Sequence, residues 1–263
     1  MRILISLLLV LSVVACETVP ITGRSQLVLI PEGTEVKMGL DSYQQILSKS
    51  KVSSDPRVVE QVTRVGRRIA AATERSDYQW EFTVIEDAQV NAFCLPGGKV
   101  AVYTGMLPVA RDDAGLAAVL GHEVSHAIAR HGGERMSQQL AIEGLTLAGT
   151  QALLADRDPR IVQLVSATLG AGATVGLLLP WGRAQESEAD HLGLIYMAKA
   201  GYHPSAARDL WKRMAERSGS GGQSGSSLAA FLAGYLSTHP LPETRVTQIE
   251  GWIPEALKYY KPR

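Results

Sequence analysis

The chain has 263 residues, 46% of them hydrophobic and 20% charged, with 26 Lys and Arg against 26 Asp and Glu. That length suits one domain with a sizeable core, about 245 residues if a leader is removed. The charge balance and the lack of a basic run exclude nucleic acid as a partner. The two cysteines, Cys16 and Cys94, offer no disulfide framework.

Arg2 precedes the apolar run Ile3–Ala15, which is too short for a comfortable membrane span and reads as a signal peptide over 1–15. Val13-Val14-Ala15-Cys16 resembles a bacterial lipobox, after which cleavage leaves Cys16 as a lipid-bearing first residue; the alternative is an ordinary leader with an incidental cysteine. Glu17 in the next position, rather than aspartate, resembles lipoproteins sorted to the outer membrane. The expectation is a lipidated segment over 16–35, a membrane contact through that lipid, and a periplasmic position on the outer membrane. A single folded domain is expected over 36–263.

Amphipathic helices are predicted over Lys37–Ser50 and Pro56–Thr73, the second with Val58, Val59, Val62, Val65 and Ile69 on one side. Trp80–Ile85 and Lys99–Thr104 read as strands, with Pro96-Gly97-Gly98 as a turn between them. Most of the remainder reads as helix, so the fold class is α+β, mostly helical, with a small sheet. Asp112 and Asp113 are candidate caps for a helix over about 113–131, with Gly132-Gly133 as its stop signal.

That helix carries His122-Glu123-Val124-Ser125-His126, an H-E-x-x-H motif. Residues four apart share a helix face, so both imidazoles can point at one ion. Glu123 is turned about 100° from His122, which suits a base acting on water rather than a further ligand. A third ligand is needed. His131 lies nine residues after His122, where the H-E-x-x-H-x-x-G-x-x-H pattern wants ten, and Ala129 stands where it wants glycine. It reads as a histidine at the helix end, facing the C-terminal dipole. Glu186 is the better candidate. It lies on a helix predicted over Ala184–Ala200 and capped by Gly201, with Asp190 on the same face to hold a ligating imidazole by its other N–H.

With these residues the chain resembles the gluzincin metallopeptidases that include the CAAX prenyl proteases and the HtpX proteases, and it is most similar to their periplasmic LoiP/BepA-like lipoprotein branch. The resemblance rests on H-E-x-x-H, on Glu186-Ser187-Glu188-Ala189-Asp190, on Asn91-Ala92-Phe93-Cys94-Leu95-Pro96-Gly97-Gly98, on Thr238-His239-Pro240 with Arg245, and on Val19–Leu27. It implies a zincin-like fold with a small sheet beside the motif helix. It also implies one zinc held by His122, His126 and Glu186, with Glu123 as catalytic base. Asp190 then supports a ligand or donates a proton. His239 and Arg245 lie over the metal, where His239 either stabilises the transition state or blocks the open position at rest. On balance its removal is expected to slow peptide cleavage.

The function expected is a zinc endopeptidase acting on unfolded or misassembled envelope polypeptides; the alternative is an envelope chaperone or assembly factor with a normally shut site. Zinc proteases bind substrate as a strand added to a sheet edge. Lys99–Thr104 is the strand nominated, with Asn91, Val100 and Val102 as substrate contacts. Cys94 lies among apolar neighbours and reads as a buried thiol, not a nucleophile. Ile161–Trp181 is strongly apolar and reads as a buried helix ending in a glycine-rich loop; a membrane-touching hairpin is the minority reading. Residues 218–227 read as a flexible Gly/Ser loop. Oligomeric state and cleavage specificity are not legible.

Overall fold

A computed structural model describes residues 16–154, 163, 167, 179–219, 239 and 244–262. The leader over 1–15, most of the apolar segment 161–181 and most of the loop 218–227 lie outside the described residues; residues 218 and 219 close a helix.

The elements in chain order are β1 (Cys16–Thr18), β2 (Ser25–Leu27), α1 (Glu32–Leu47), α2 (Pro56–Ala72), β3 (Glu81–Ile85), β4 (Ala92–Leu95), β5 (Lys99–Tyr103), α3 (Leu107–Ala110), α4 (Asp113–Ile128), α5 (His131–Leu154), α6 (Leu179–Lys199), α7 (Ser205–Gly219) and α8 (Arg245–Ala256). Helices dominate and the strands are few, as the sequence predicts. The chain divides into two units, one built from Met1–Glu32 with Arg130–Gln185, the other from Gly33–Ala129 with Glu186–Arg263.

In the first unit β1 and β2 form an antiparallel hairpin, Cys16 opposite Leu27. Its turn places Ile21 and Gly23 in the left-handed region, at φ 70° and 69°. Polar side chains fasten the hairpin to α5. The Arg24 guanidinium forks onto Glu134 at 2.7 and 2.9 Å, Arg130 pairs with Glu17, and the Leu29 N–H donates to Ser137 Oγ at 2.8 Å. The segment expected as a lipidated tether thus holds a small sheet.

In the second unit β5 is the central strand of a three-stranded sheet in the order β3-β5-β4. It runs parallel to β3, with Phe82 opposite Val100, and antiparallel to β4, with Cys94 opposite Val100. The turn from β4 to β5 needs Gly97 and Gly98, both at positive φ, 84° and 85°. This arrangement corrects one expectation. Val100 and Val102 lie on a strand paired on both sides, and both are fully buried. A substrate cannot add beside β5, because its main-chain groups are already used. The error arises because strand order is set by non-local pairing, which alternation within one strand does not reveal.

Helix α4 is the core of this unit. Leu116, Ala117, Val119, Leu120 and Val124 are fully buried, and α2, β4 and α7 contact it. A helix apolar on all sides belongs in an interior, and each buried Leu or Val contributes about 1.5–3 kcal/mol. Asp112 caps it, accepting from the Gly115 N–H at 2.8 Å, a contact worth about 1 kcal/mol. The C-terminus differs from expectation. The helix ends at Ile128, Arg130 turns the chain at φ 54°, and His131-Gly132-Gly133 opens α5. His131 is the first residue of a new helix, not the last of the old one. The left-handed conformation of Arg130 ends the helix before the glycines are reached.

Candidate metal site

Two helical segments of the second unit, on α4 and on the part of α6 from Glu186 onward, deliver the ligand atoms. On α4, the four-residue spacing stacks His122 and His126, whose Nε2 atoms lie 3.1 Å apart. On α6, Glu186 and Asp190 repeat that spacing. The helices meet where Gly121 and Gly193 face each other backbone to backbone. A Cβ on either would fall 2.9–3.0 Å from the other's main chain. This contact brings the Glu186 oxygens within 3.3 Å of both histidines, Oε2 to His122 Nε2 and Oε1 to His126 Nε2. Helix α6 ends in a Schellman cap. Gly201 stands at φ 82° and donates to Ala198 O, and Tyr202 donates to Met197 O, both at 2.9 Å.

These separations suit a small tetrahedral cation. An ion about 2.0–2.1 Å from each donor holds its donors about 3.3 Å apart. His239 joins the cluster, with Nδ1 3.1 Å from His122 Nε2 and 3.0 Å from Glu186 Oε2. The candidate ligand atoms of all four residues lie within 4.8 Å of one another. His239 Nε2 also faces Glu123 Oε1 at 3.6 Å. His131 is not among these groups.

A second layer orients the first. Asp190 Oδ1 lies 2.9 Å from His122 Nδ1, so that ring presents its other nitrogen to the cluster. Arg245, at the start of α8, donates to both Asp190 oxygens, at 2.5 Å from Nε and 2.9 Å from Nη2. Arg245 is 2% exposed and clamps that carboxylate, and its Nη1 also lies 3.5 Å from Glu186 Oε2 of the cluster. Its guanidinium lies 3.6 Å above the Trp211 ring, and that ring meets His122 edge-on at 5.6 Å. Trp211, Gly121 and Gly193 were not found from sequence. The apolar pattern of α7 marks Trp211 only as core, and the glycines read as ordinary helix residues.

Charge in the site is set by these contacts. Burial alone would lower the His122 pKa, but hydrogen bonds to Asp190 and Glu186 hold it up at about 9 without a metal. Burial would raise Glu186; hydrogen bonds from His122, His126 and His239 hold it far below the usual carboxylate range. For Asp190, burial is likewise outweighed, by the Arg245 charge and the His122 hydrogen bond. The cluster is thus built to keep carboxylates ionised in the presence of positive charge. Cys94, on β4, is buried, and burial together with the Glu123 charge pushes its thiol up, which removes it as a nucleophile.

Comparison with known proteins agrees with the site. The profile of peptidase family M48 matches residues 56–253. The mitochondrial metalloendopeptidase OMA1 of Schizosaccharomyces pombe is 37% identical over 91% of this chain and 67% of its own length. That of Arabidopsis thaliana is 36% identical over 73% of this chain and 36% of its own. The putative beta-barrel assembly-enhancing protease of Vibrio cholerae is 31% identical over 79% of this chain and 42% of its own. The chain thus spans about two thirds of the fission-yeast relative and less than half of the other two. These relatives overturn the outer-membrane, periplasmic address read from the N-terminus, since those at 37% and 36% identity are mitochondrial. A short apolar run after one arginine records length and polarity, and neither singles out a compartment. The chain belongs to peptidase family M48 and is a zinc-dependent metalloendopeptidase.

Proposed function

We propose that the chain hydrolyses peptide bonds within unfolded or misassembled polypeptides, with His122, His126 and Glu186 as the zinc ligands and Glu123 as the base. The observation that carries the reading is the set of three donors 3.1–3.3 Å apart beside a sheet edge. Bound zinc supplies a Lewis acid for a carbonyl and acidifies water. Glu123, 3% exposed, takes the proton of the attacking water and passes it to the departing amine. Asp190, fixed by Arg245, holds His122 in the tautomer a ligand requires.

The substrate edge in this reading is β4, not β5. Asn91 O accepts from Tyr103 N at 3.0 Å, so by antiparallel alternation Phe93 and Leu95 also face β5. Ala92 and Cys94 then turn their main-chain groups outward, and among the described residues no strand pairs there. Asn91 keeps its place beside that edge. Strand addition uses main-chain hydrogen bonds and demands an extended partner, which favours unfolded chains.

A second reading is supported by His239. With Nδ1 among the donors, it takes the place a water or substrate needs, which favours a site shut at rest and a chaperone or assembly role with rare cleavage. Digestion of casein by the full chain, with and without a chelator, separates the two. Chelator-sensitive digestion supports the peptidase reading; none by wild type, but digestion by His239→Ala, supports the shut site. Lipid attachment at Cys16 remains part of the proposal, and Cys16→Ser is expected to abolish labelling by radioactive palmitate.

A further inference from the structure

The first unit holds a groove of about 320 Å³ lined by β2 with Arg24, by Glu134 and Gln138 of α5, and by Trp181, Ala184 and Gln185 of α6. That volume lies at the small end of the range for ligand sites, about 300–1,000 Å³. It suits a few residues of peptide rather than a large cofactor.

Its charges are already matched. Arg24 and Glu134 form a bidentate ion pair, and Gln185 Nε2 donates to Glu134 Oε2 at 2.7 Å. A charged ligand gains little here. Gln138 differs from its neighbours. It is 5% exposed, and its amide makes no hydrogen bond with any described residue. It offers both a donor and an acceptor to the groove.

The β2 strand contributes a second set of unpaired groups. The Val19 N–H donates to Arg24 O at 2.9 Å, which sets the hairpin alternation and turns Glu17 and Gln26 toward each other. The main-chain groups of Ser25 and Leu27, both groove residues, therefore point away from β1. Among the described residues no strand pairs with that edge. The apolar walls are open: Leu27 is 37% exposed and Trp181 48%.

Alternating main-chain donors and acceptors, one unpaired amide and two apolar walls match the surface of an extended polypeptide. We propose that this groove is a second polypeptide-binding site, taking an uncharged, extended stretch of chain as a third strand on β2. An apolar side chain of that stretch rests against Leu27 and Trp181, and one of its peptide groups bonds Gln138. The site rests on the reading that this protein handles unfolded chains, and its ligand class is the same.

The test uses the full chain carrying Glu123→Gln, so that the probe is not digested. The probe is fluorescein-labelled, reduced and carboxymethylated α-lactalbumin, followed by anisotropy. Gln138→Leu, and separately Ser25→Pro, which removes an outward N–H, are each expected to raise Kd about five- to tenfold, the loss of about one hydrogen bond. In the chain with Glu123 intact, neither substitution is expected to change cleavage of a short fluorogenic peptide. Gln138→Leu deletes an unpaired amide, so its melting temperature should equal or exceed that of wild type. Unchanged Kd in both variants overturns the proposal and leaves the groove to the protein's own chain. Failure of the wild type to cut any peptide overturns the peptidase reading alone, because the binding comparison does not depend on cleavage.

Discussion

A Cβ built on Gly121 would lie 2.9 Å from the carbonyl oxygen of Gly193, so α4 and α6 touch through bare backbone one residue before His122 and three after Asp190. Neither glycine can take a side chain without spreading the helices. Gly193→Ala is expected to weaken zinc binding by a hundredfold or so, because overpacking of about 1–3 kcal/mol falls directly on donor spacing. Competition with a chromophoric chelator reads this. Wild-type zinc affinity in Gly193→Ala would show that the crossing has slack.

Glu123→Gln should retain zinc and lose about 10²–10⁴ of the hydrolysis rate, because an amide cannot accept a proton from water. Glu186→Gln should do the reverse and lose metal first. Metal analysis and peptide turnover on the same samples separate the two roles. Full metal content in Glu186→Gln would reopen the choice of third ligand.

Asp190→Asn and Trp211→Leu are expected to weaken zinc by about 10–100-fold, since both act on how His122 is held. Trp211→Phe, which keeps an aromatic face under Arg245, should recover most of the loss. Equal losses in the Phe and Leu variants would reduce Trp211 to a space-filling core residue.

His239→Ala should raise digestion of casein, because the imidazole now stands among the donors rather than beside them. This reverses the net loss expected from sequence, where a gate and a transition-state role both stand open. A fall in turnover at unchanged zinc content would restore the transition-state role.

Cys94 provides a pH test. Its thiol is raised in the fold, so its contribution to stability is fully present below the unfolded pKa, about 8.5, and is lost as pH climbs beyond it. Urea midpoints at pH 7.5 and pH 10 should fall further in wild type than in Cys94→Ala. Parallel falls would show that the thiol is not buried as described.

The legible part of this protein is local. The cap at Asp112, the stacked pair His122 and His126, the pair Glu186 and Asp190, and the Gly201 stop each depend on residues within a turn or two. The terminus of α4 was misplaced by three residues because Arg130 adopts a left-handed conformation that nothing in its side chain announces. The central place of β5, the clamp made by Arg245, the aromatic floor at Trp211 and the glycine crossing are all meetings of distant segments. No period or spacing in a single sequence encodes which distant segment arrives.

That distance also determines when the enzyme exists. The contacts of His122 with Asp190, His239 and Arg245 join residues 68, 117 and 123 positions apart. Contacts of such long range form late in folding, and a ligand set absent from the unfolded chain binds metal only as the chain folds. A nascent or partly folded copy therefore has no working centre, and is harmless to its neighbours until α6 and α8 have docked.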